Sequence, residues 1–232
     1  MELCQASLDQ LFLKDGDPKK YCGPKPQPEE ALYQLATGLE YIHKMQLIHC
    51  NLKPKNVLIW SGNSSTVMKW TNFGTSKQVD EKGTCPINEI KEEEWIAPEI
   101  LEMLENEEMN IQSENKATLF WECSTFKSDV FAEGLVFGYF LLAGVHPFGY
   151  IGWKIQANIS QNDPINLKSK YKSQKCTNFL IIKKTIHVRF TIIPEIEPSS
   201  LSDLTMKMLN NQPENRLTSL DVVEELEIIR VI

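Results

Sequence analysis

From Phe131 to Val145 the chain is apolar on nearly every helical face. A helix of that kind has no side to give to water, so other elements must wrap it. The stretch is shorter than the roughly 18 apolar residues that would read as a membrane span, and no longer one occurs elsewhere. The chain must therefore build a core thick enough to surround one helix. With 232 residues, 42% of them hydrophobic, it can bury one such core.

Composition narrows the function classes. The net charge of −7 favours solubility and argues against a nucleic-acid binder. No charged-then-apolar leader opens the chain. Cys4, Cys22, Cys50, Cys85, Cys123 and Cys176 lack paired spacing, which fits reduced thiols in a cytoplasmic setting better than a disulfide framework or a zinc site. The sequons at Asn63 and Asn158 lack a secretory context and read as accidental.

The periodicity predicts a mainly α chain (α+β) with short β-hairpins. Pro24, Pro26 and Pro28 mark a loop, after which Glu29 and Glu30 open a helix at its positive end. Leu32, Leu35, Leu39 and Ile42 recur at helical spacing up to about Met45, an apolar stripe with no cofactor role. Two strands are expected near Asn56–Trp60 and Val67–Trp70, turning at Ser61-Gly62-Asn63-Ser64. The stretch 106–124 is polar, and the lysine-rich stretch 168–189 reads as a solvated loop, with a basic docking patch as the alternative. Leu201–Leu209 and Ser219–Ile229 read as closing helices.

Six motifs then follow one another. They are Met1-Glu2-Leu3-Cys4, His49-Cys50-Asn51-Leu52-Lys53-Pro54-Lys55-Asn56, Thr71-Asn72-Phe73-Gly74, Trp95-Ile96-Ala97-Pro98-Glu99, the pair Lys127-Ser128-Asp129-Val130-Phe131 with His146-Pro147-Phe148-Gly149, and Gln212-Pro213-Glu214-Asn215-Arg216. In this order they resemble the hinge, the H-R-D-L-x-x-x-N catalytic loop, the D-F-G site, the A-P-E motif and the central and closing helices of a protein-kinase large lobe. The wording around residues 2–11, 38–59, 94–101 and 144–149 is most similar to the kinase/endoribonucleases of the unfolded protein response, the inositol-requiring-enzyme type. The resemblance implies one domain over 1–232, with hinge 1–5, catalytic loop 49–56, activation segment 72–99, central helix 128–145 and closing helices within 201–230. Against this family the 30 residues from Glu99 to Asp129 are long, which makes 106–124 a surface insertion. Because the hinge falls at residue 1, the small lobe with its glycine-rich loop is expected to be absent, and the large lobe alone to be marginally stable.

The resemblance also assigns roles. Asn51 stands at the catalytic-base position, but an amide has no proton-accepting state near neutral pH. General-base catalysis typically supplies roughly 10²–10⁴-fold, so its loss leaves at most a weak transferase. Asn72 stands where the D-F-G carboxylate holds magnesium, and a neutral amide is a much weaker ligand. Asn56, the other metal ligand, is intact. Lys53 matches the lysine on the transferred phosphate. Cys50 replaces the arginine that clamps a phosphorylated segment, and Glu92 falls at the threonine that touches the catalytic aspartate. Glu2, Cys4 and Leu58 match the hinge and floor under adenine. His49 and Phe73 match the buried spine, Asp129 the carboxylate that holds the catalytic-loop backbone, and Glu99 with Arg216 the buried bracing pair.

Fold-bearing positions are thus kept while chemistry-bearing ones change, the pattern of a pseudokinase. The resemblance implies ATP and Mg2+ as cofactors, with binding expected to be weak or absent. It implies a protein partner or a kinase-type homodimer or heterodimer, no direct nucleic-acid contact and no membrane segment. The expected location is cytoplasmic, or the cytosolic face of the endoplasmic reticulum. The alternative is an active ATP-dependent Ser/Thr protein kinase of the same type, for which Leu52-Lys53-Pro54 is the Ser/Thr form of the loop.

Overall fold

The computed structural model describes residues 3–62, 65–81, 83–85, 92–110, 124–168 and 199–231. Two hydrophobic clusters share the central helix Phe126–Leu141 as their partition. Val130, Val136, Phe137 and Phe140 face one cluster, and Phe131 and Leu135 face the other. A helix with a core on both sides has to be apolar all round, which is the physical origin of the pattern at 131–145. Thr125 starts this helix with a capping box: its hydroxyl accepts from the Ser128 amide, and the Ser128 hydroxyl accepts from the Thr125 amide. The helix ends at Leu141, short of the expected residue 145. Ala143 and Gly144 turn to φ 53° and 90°, conformations that cannot continue a right-handed helix.

The helix Pro28–Lys44 follows the predicted stripe. Proline at its start, acids in its first turn, and His43 and Lys44 in its last suit the helix dipole. Leu32, Leu35, Ala36 and Leu39 are fully buried against the helix Ser219–Val231 and the hairpin. Trp70 closes that contact, its indole N–H donating to the Leu35 carbonyl at 2.9 Å.

The hairpin pairs Val57–Ser61 with Thr66–Trp70 in antiparallel register, Ile59 opposite Met68. Strand Ala6–Ser7 adds on the free edge of the first of these, opposite Ile59 and Leu58. Segment 72–99 carries two further short ladders, Leu47–Ile48 with Lys77–Gln78 and Thr84–Cys85 with Ser124–Thr125. Residues 106–110, expected in an insertion, continue the helix Pro98–Asn110, and the closing helices run Ser199–Met208 and Ser219–Val231. The remaining expectations on Met1, Glu2, Asn63, Ser64, 111–123 and 169–189 fall outside the described residues. The Asn158 side chain donates to the Phe148 carbonyl at 2.6 Å, so that sequon's amide is already engaged.

One carboxyl inside the central helix is expensive. Glu133 is fully buried, and neither of its oxygens has a hydrogen-bond partner among the described residues. Burial, reinforced by Asp129 one turn away, pushes its carboxyl well above the usual range, so it is held neutral. An unpartnered buried polar group costs about 1–3 kcal/mol. Glu133→Met keeps the shape and removes the polar atoms, so urea denaturation at pH 7 should show a gain of about that size.

Candidate active site

The catalytic-loop residues gather around Asp129 at the start of the central helix. Its carboxylate accepts the backbone N–H of His49 at 2.7 Å and of Cys50 at 3.1 Å. These two bonds fix a backbone that Cys50 carries through φ 63°, an unfavourable region for a side chain of its type. A third contact was not legible in the sequence. His43 Nε2 lies 3.1 Å from Asp129, while its Nδ1 lies 3.0 Å from the Ser219 hydroxyl, so one imidazole ties the loop's anchor to the last helix. The only sequence signal was a histidine on the buried face of a helix end.

His49 is fully buried, with its Nε2 3.0 Å from the Thr71 carbonyl. Burial lowers its pKa below the ordinary histidine value, against the opposing pull of Asp129. Phe73 packs on it at a ring distance of 5.1 Å but is 50% exposed. This corrects the expectation of a fully buried pair: His49 covers one face of the ring, and half of the side chain stays open. Asn72 sits at φ 67°, a left-handed conformation that asparagine tolerates because its short polar side chain bonds locally.

The two amides at the expected metal positions meet each other. Asn72 Nδ2 donates to Asn56 Oδ1 at 3.4 Å, and Asn56 Nδ2 donates to the Asn51 carbonyl at 2.7 Å. The Asn56 side-chain oxygen thus faces a neutral donor. No carboxylate joins them, and among the described residues no cluster of three His, Cys, Asp or Glu side chains could hold a metal ion. The residues present do not fit Mg2+, whose sites need carboxylate oxygen. Asn51 itself donates its backbone N–H to His49 Nδ1 at 3.3 Å.

Lys53 is engaged as well. Its ammonium lies 3.0 Å from Glu92 Oε1, and Lys55 approaches the same oxygen at 3.8 Å. The position that counting placed at the threonine thus delivers a carboxylate onto Lys53. The sequence placed Glu92 in the site; only the structure paired it. Cys4 and Leu58 are both partly buried, at the sheet edge where Gln5 N–H donates to the Ile59 carbonyl at 2.9 Å.

Away from this centre, Arg216 and Glu99 form a bidentate pair at 2.9 and 3.0 Å, with the Arg216 side chain fully buried. His146 is buried under Trp95 at a ring distance of 4.7 Å, and its Nε2 lies 2.9 Å from the Glu94 carbonyl.

The protein kinase domain family matches residues 1–226. The serine/threonine-protein kinase/endoribonuclease IRE2 of Homo sapiens is 28% identical over 206 residues, 86% of this chain and 20% of that protein. The sensor for unfolded proteins in the ER of Schizosaccharomyces pombe is 32% identical over 162 residues, 64% of this chain and 15% of that protein. The serine/threonine-protein kinase KDX1 of Saccharomyces cerevisiae is 30% identical over 199 residues, 83% of this chain and 42% of that protein. The chain spans a fifth or less of the first two relatives and under half of the third. No described helix is long and apolar enough to cross a membrane. With the family matched from hinge to closing helices, and the ordered motifs set on one mainly α scaffold, the chain belongs to the protein kinase domain family.

Proposed function

We propose that this chain is a catalytically impaired kinase domain that works by binding another protein. The observation that carries the reading is the joint state of the centre: an amide at the base position, an amide at the D-F-G position, and Lys53 ion-paired to Glu92. Each change removes a different requirement of phosphoryl transfer, namely the proton acceptor, the metal carboxylate and the free phosphate-contacting cation. The bracing contacts of Asp129, Glu99 and Arg216 stay in place, so the scaffold stands without the chemistry. ATP is a weak ligand on this reading, held from below by Cys4 and Leu58. The partner is another kinase-type chain, as homodimer or heterodimer, at the cytosolic face of the endoplasmic reticulum.

The test compares the full-length natural protein with a variant carrying Asn51→Asp, Asn72→Asp and Glu92→Thr. Radiolabel transfer from ATP to a Ser/Thr peptide should be at background for the natural protein. The triple variant should raise it by roughly 10²-fold or more. In parallel, sedimentation of the natural protein should show a saturable complex. Robust transfer by the natural protein, unchanged in the variant, would replace this reading with an active Ser/Thr kinase.

A further inference from the structure

Cys50 and Cys85 are far apart in the chain, yet their sulfurs lie 3.6 Å from each other. Cys50 stands between His49 and Asn51 in the catalytic loop. Cys85 is the last residue of strand Thr84–Cys85, which pairs with Ser124–Thr125 at the foot of the central helix. Both ends of the contact are therefore anchored. The Cys50 backbone is held by Asp129, and Cys85 is fixed in a ladder opposite Ser124. A disulfide needs the sulfurs at about 2.05 Å, so the gap to close is about 1.5 Å, a distance within reach of side-chain rotation.

We propose that Cys50 and Cys85 form a reversible disulfide that fastens the segment after Asn72 to the catalytic loop. The reaction is a two-electron oxidation by a peroxide. One thiolate attacks the peroxide O–O bond, becoming a sulfenic acid as the second peroxide oxygen leaves as water. The other sulfur attacks that sulfenic sulfur, forming the S–S bond and releasing a second water. Two thiols and one peroxide thus yield one disulfide and two waters. A low-molecular-weight dithiol reverses the reaction by exchange.

The surroundings divide the roles. The thiol hydrogen bond to Cys85 and burial both hold Cys50 protonated, while the same bond, with Lys77 nearby, lowers Cys85 below an ordinary thiol. Cys85 therefore supplies the attacking thiolate and Cys50 the resolving sulfur; Cys85 is only 1% exposed, and the partly buried Cys50 beside it marks the side from which the peroxide enters. Arginine is the family residue at position 50 and could take no part in this chemistry. Oxidation pins the loop that carries Asn51 and Lys53 to strand Thr84–Cys85, and so restrains the segment that delivers Glu92.

The experiment treats the full chain with hydrogen peroxide, caps free thiols, and maps peptides without reduction. The expected product has lost the mass of two hydrogens and joins the Cys50 peptide to the Cys85 peptide. Dithiothreitol should return it to the starting mass. Oxidised wild type should melt roughly 5 °C above the reduced form, a shift that Cys50→Ser and Cys85→Ser both lack and Cys22→Ser keeps. Linkage of Cys85 to a different cysteine would overturn the proposal. So would sulfinic acid at Cys50 without any cross-link, or both thiols remaining free at a dose that oxidises the exposed Cys22. The mapping in wild-type protein decides the question even if a serine variant folds poorly.

Discussion

Arg216→Ala should destabilise the folded chain by about 3–5 kcal/mol, the cost of breaking a buried ion pair from one side. The guanidinium does more than meet Glu99. It donates to the Lys127 carbonyl at 2.7 Å and to the Asn210 carbonyl at 2.9 Å, and it lies 4.9 Å from the Phe131 ring. Lys127 in turn donates back to the Arg216 carbonyl. Removing the side chain leaves Glu99 without its counter-ion and deprives the Lys127 and Asn210 carbonyls of a donor. Urea denaturation at neutral pH measures the loss. Arg216→Lys should recover only a minor part, because an ammonium cannot make the bidentate fork and the two carbonyl bonds together. A loss below about 1 kcal/mol for the alanine variant would mean that the pair does not brace the domain.

Acid should cost the chain about 3 kcal/mol of stability between pH 6.5 and pH 4 through one residue, His146. Burial pushes its pKa down to about 4, only partly opposed by the Glu94 carbonyl. The geometry explains the direction. Nδ1 accepts the Phe148 backbone N–H at 3.1 Å, so a proton on that nitrogen would break the bond and face a donor. In the unfolded chain the imidazole takes its proton near pH 6.5, so in this window the unfolded state binds more protons than the folded one. The contribution is therefore complete above pH 6.5 and is lost as pH falls towards 4. His49, lowered by burial, adds a loss of the same sign, whereas Glu133, raised by burial, acts in the opposite direction. Comparing wild type with His146→Asn isolates the one residue. The difference in stability between them should shrink by about 3 kcal/mol across the window, read from urea midpoints at stepped pH. A constant difference would show that His146 is not the group titrating.

Much of this molecule was legible before any coordinates. Apolar spacing placed the helix Pro28–Lys44 and the hairpin within a residue or two, because one-sided burial writes a period into the chain. The resemblance to a kinase large lobe also implied that Asp129 holds the loop backbone and that Glu99 pairs with Arg216, and the structure has both contacts. The end of the central helix was read too late: Ala143, Gly144 and Val145 continue the apolar run, and only the backbone shows it turning left-handed at Ala143. Phe73 was read as buried because a phenylalanine beside a buried histidine has no sequence mark of its open face.

The sequence by itself carried the family resemblance, the order of the motifs and the residue type at each motif position. Those are properties of residue types at fixed spacing, and spacing is a local quantity. The tertiary structure alone decided that Glu92 sits on Lys53, that His43 joins Asp129 to Ser219, and that Cys50 meets Cys85. Each of these joins residues dozens of positions apart. Such contacts are set by how helices and ladders pack around the shared central helix, and no period or motif along the chain encodes them.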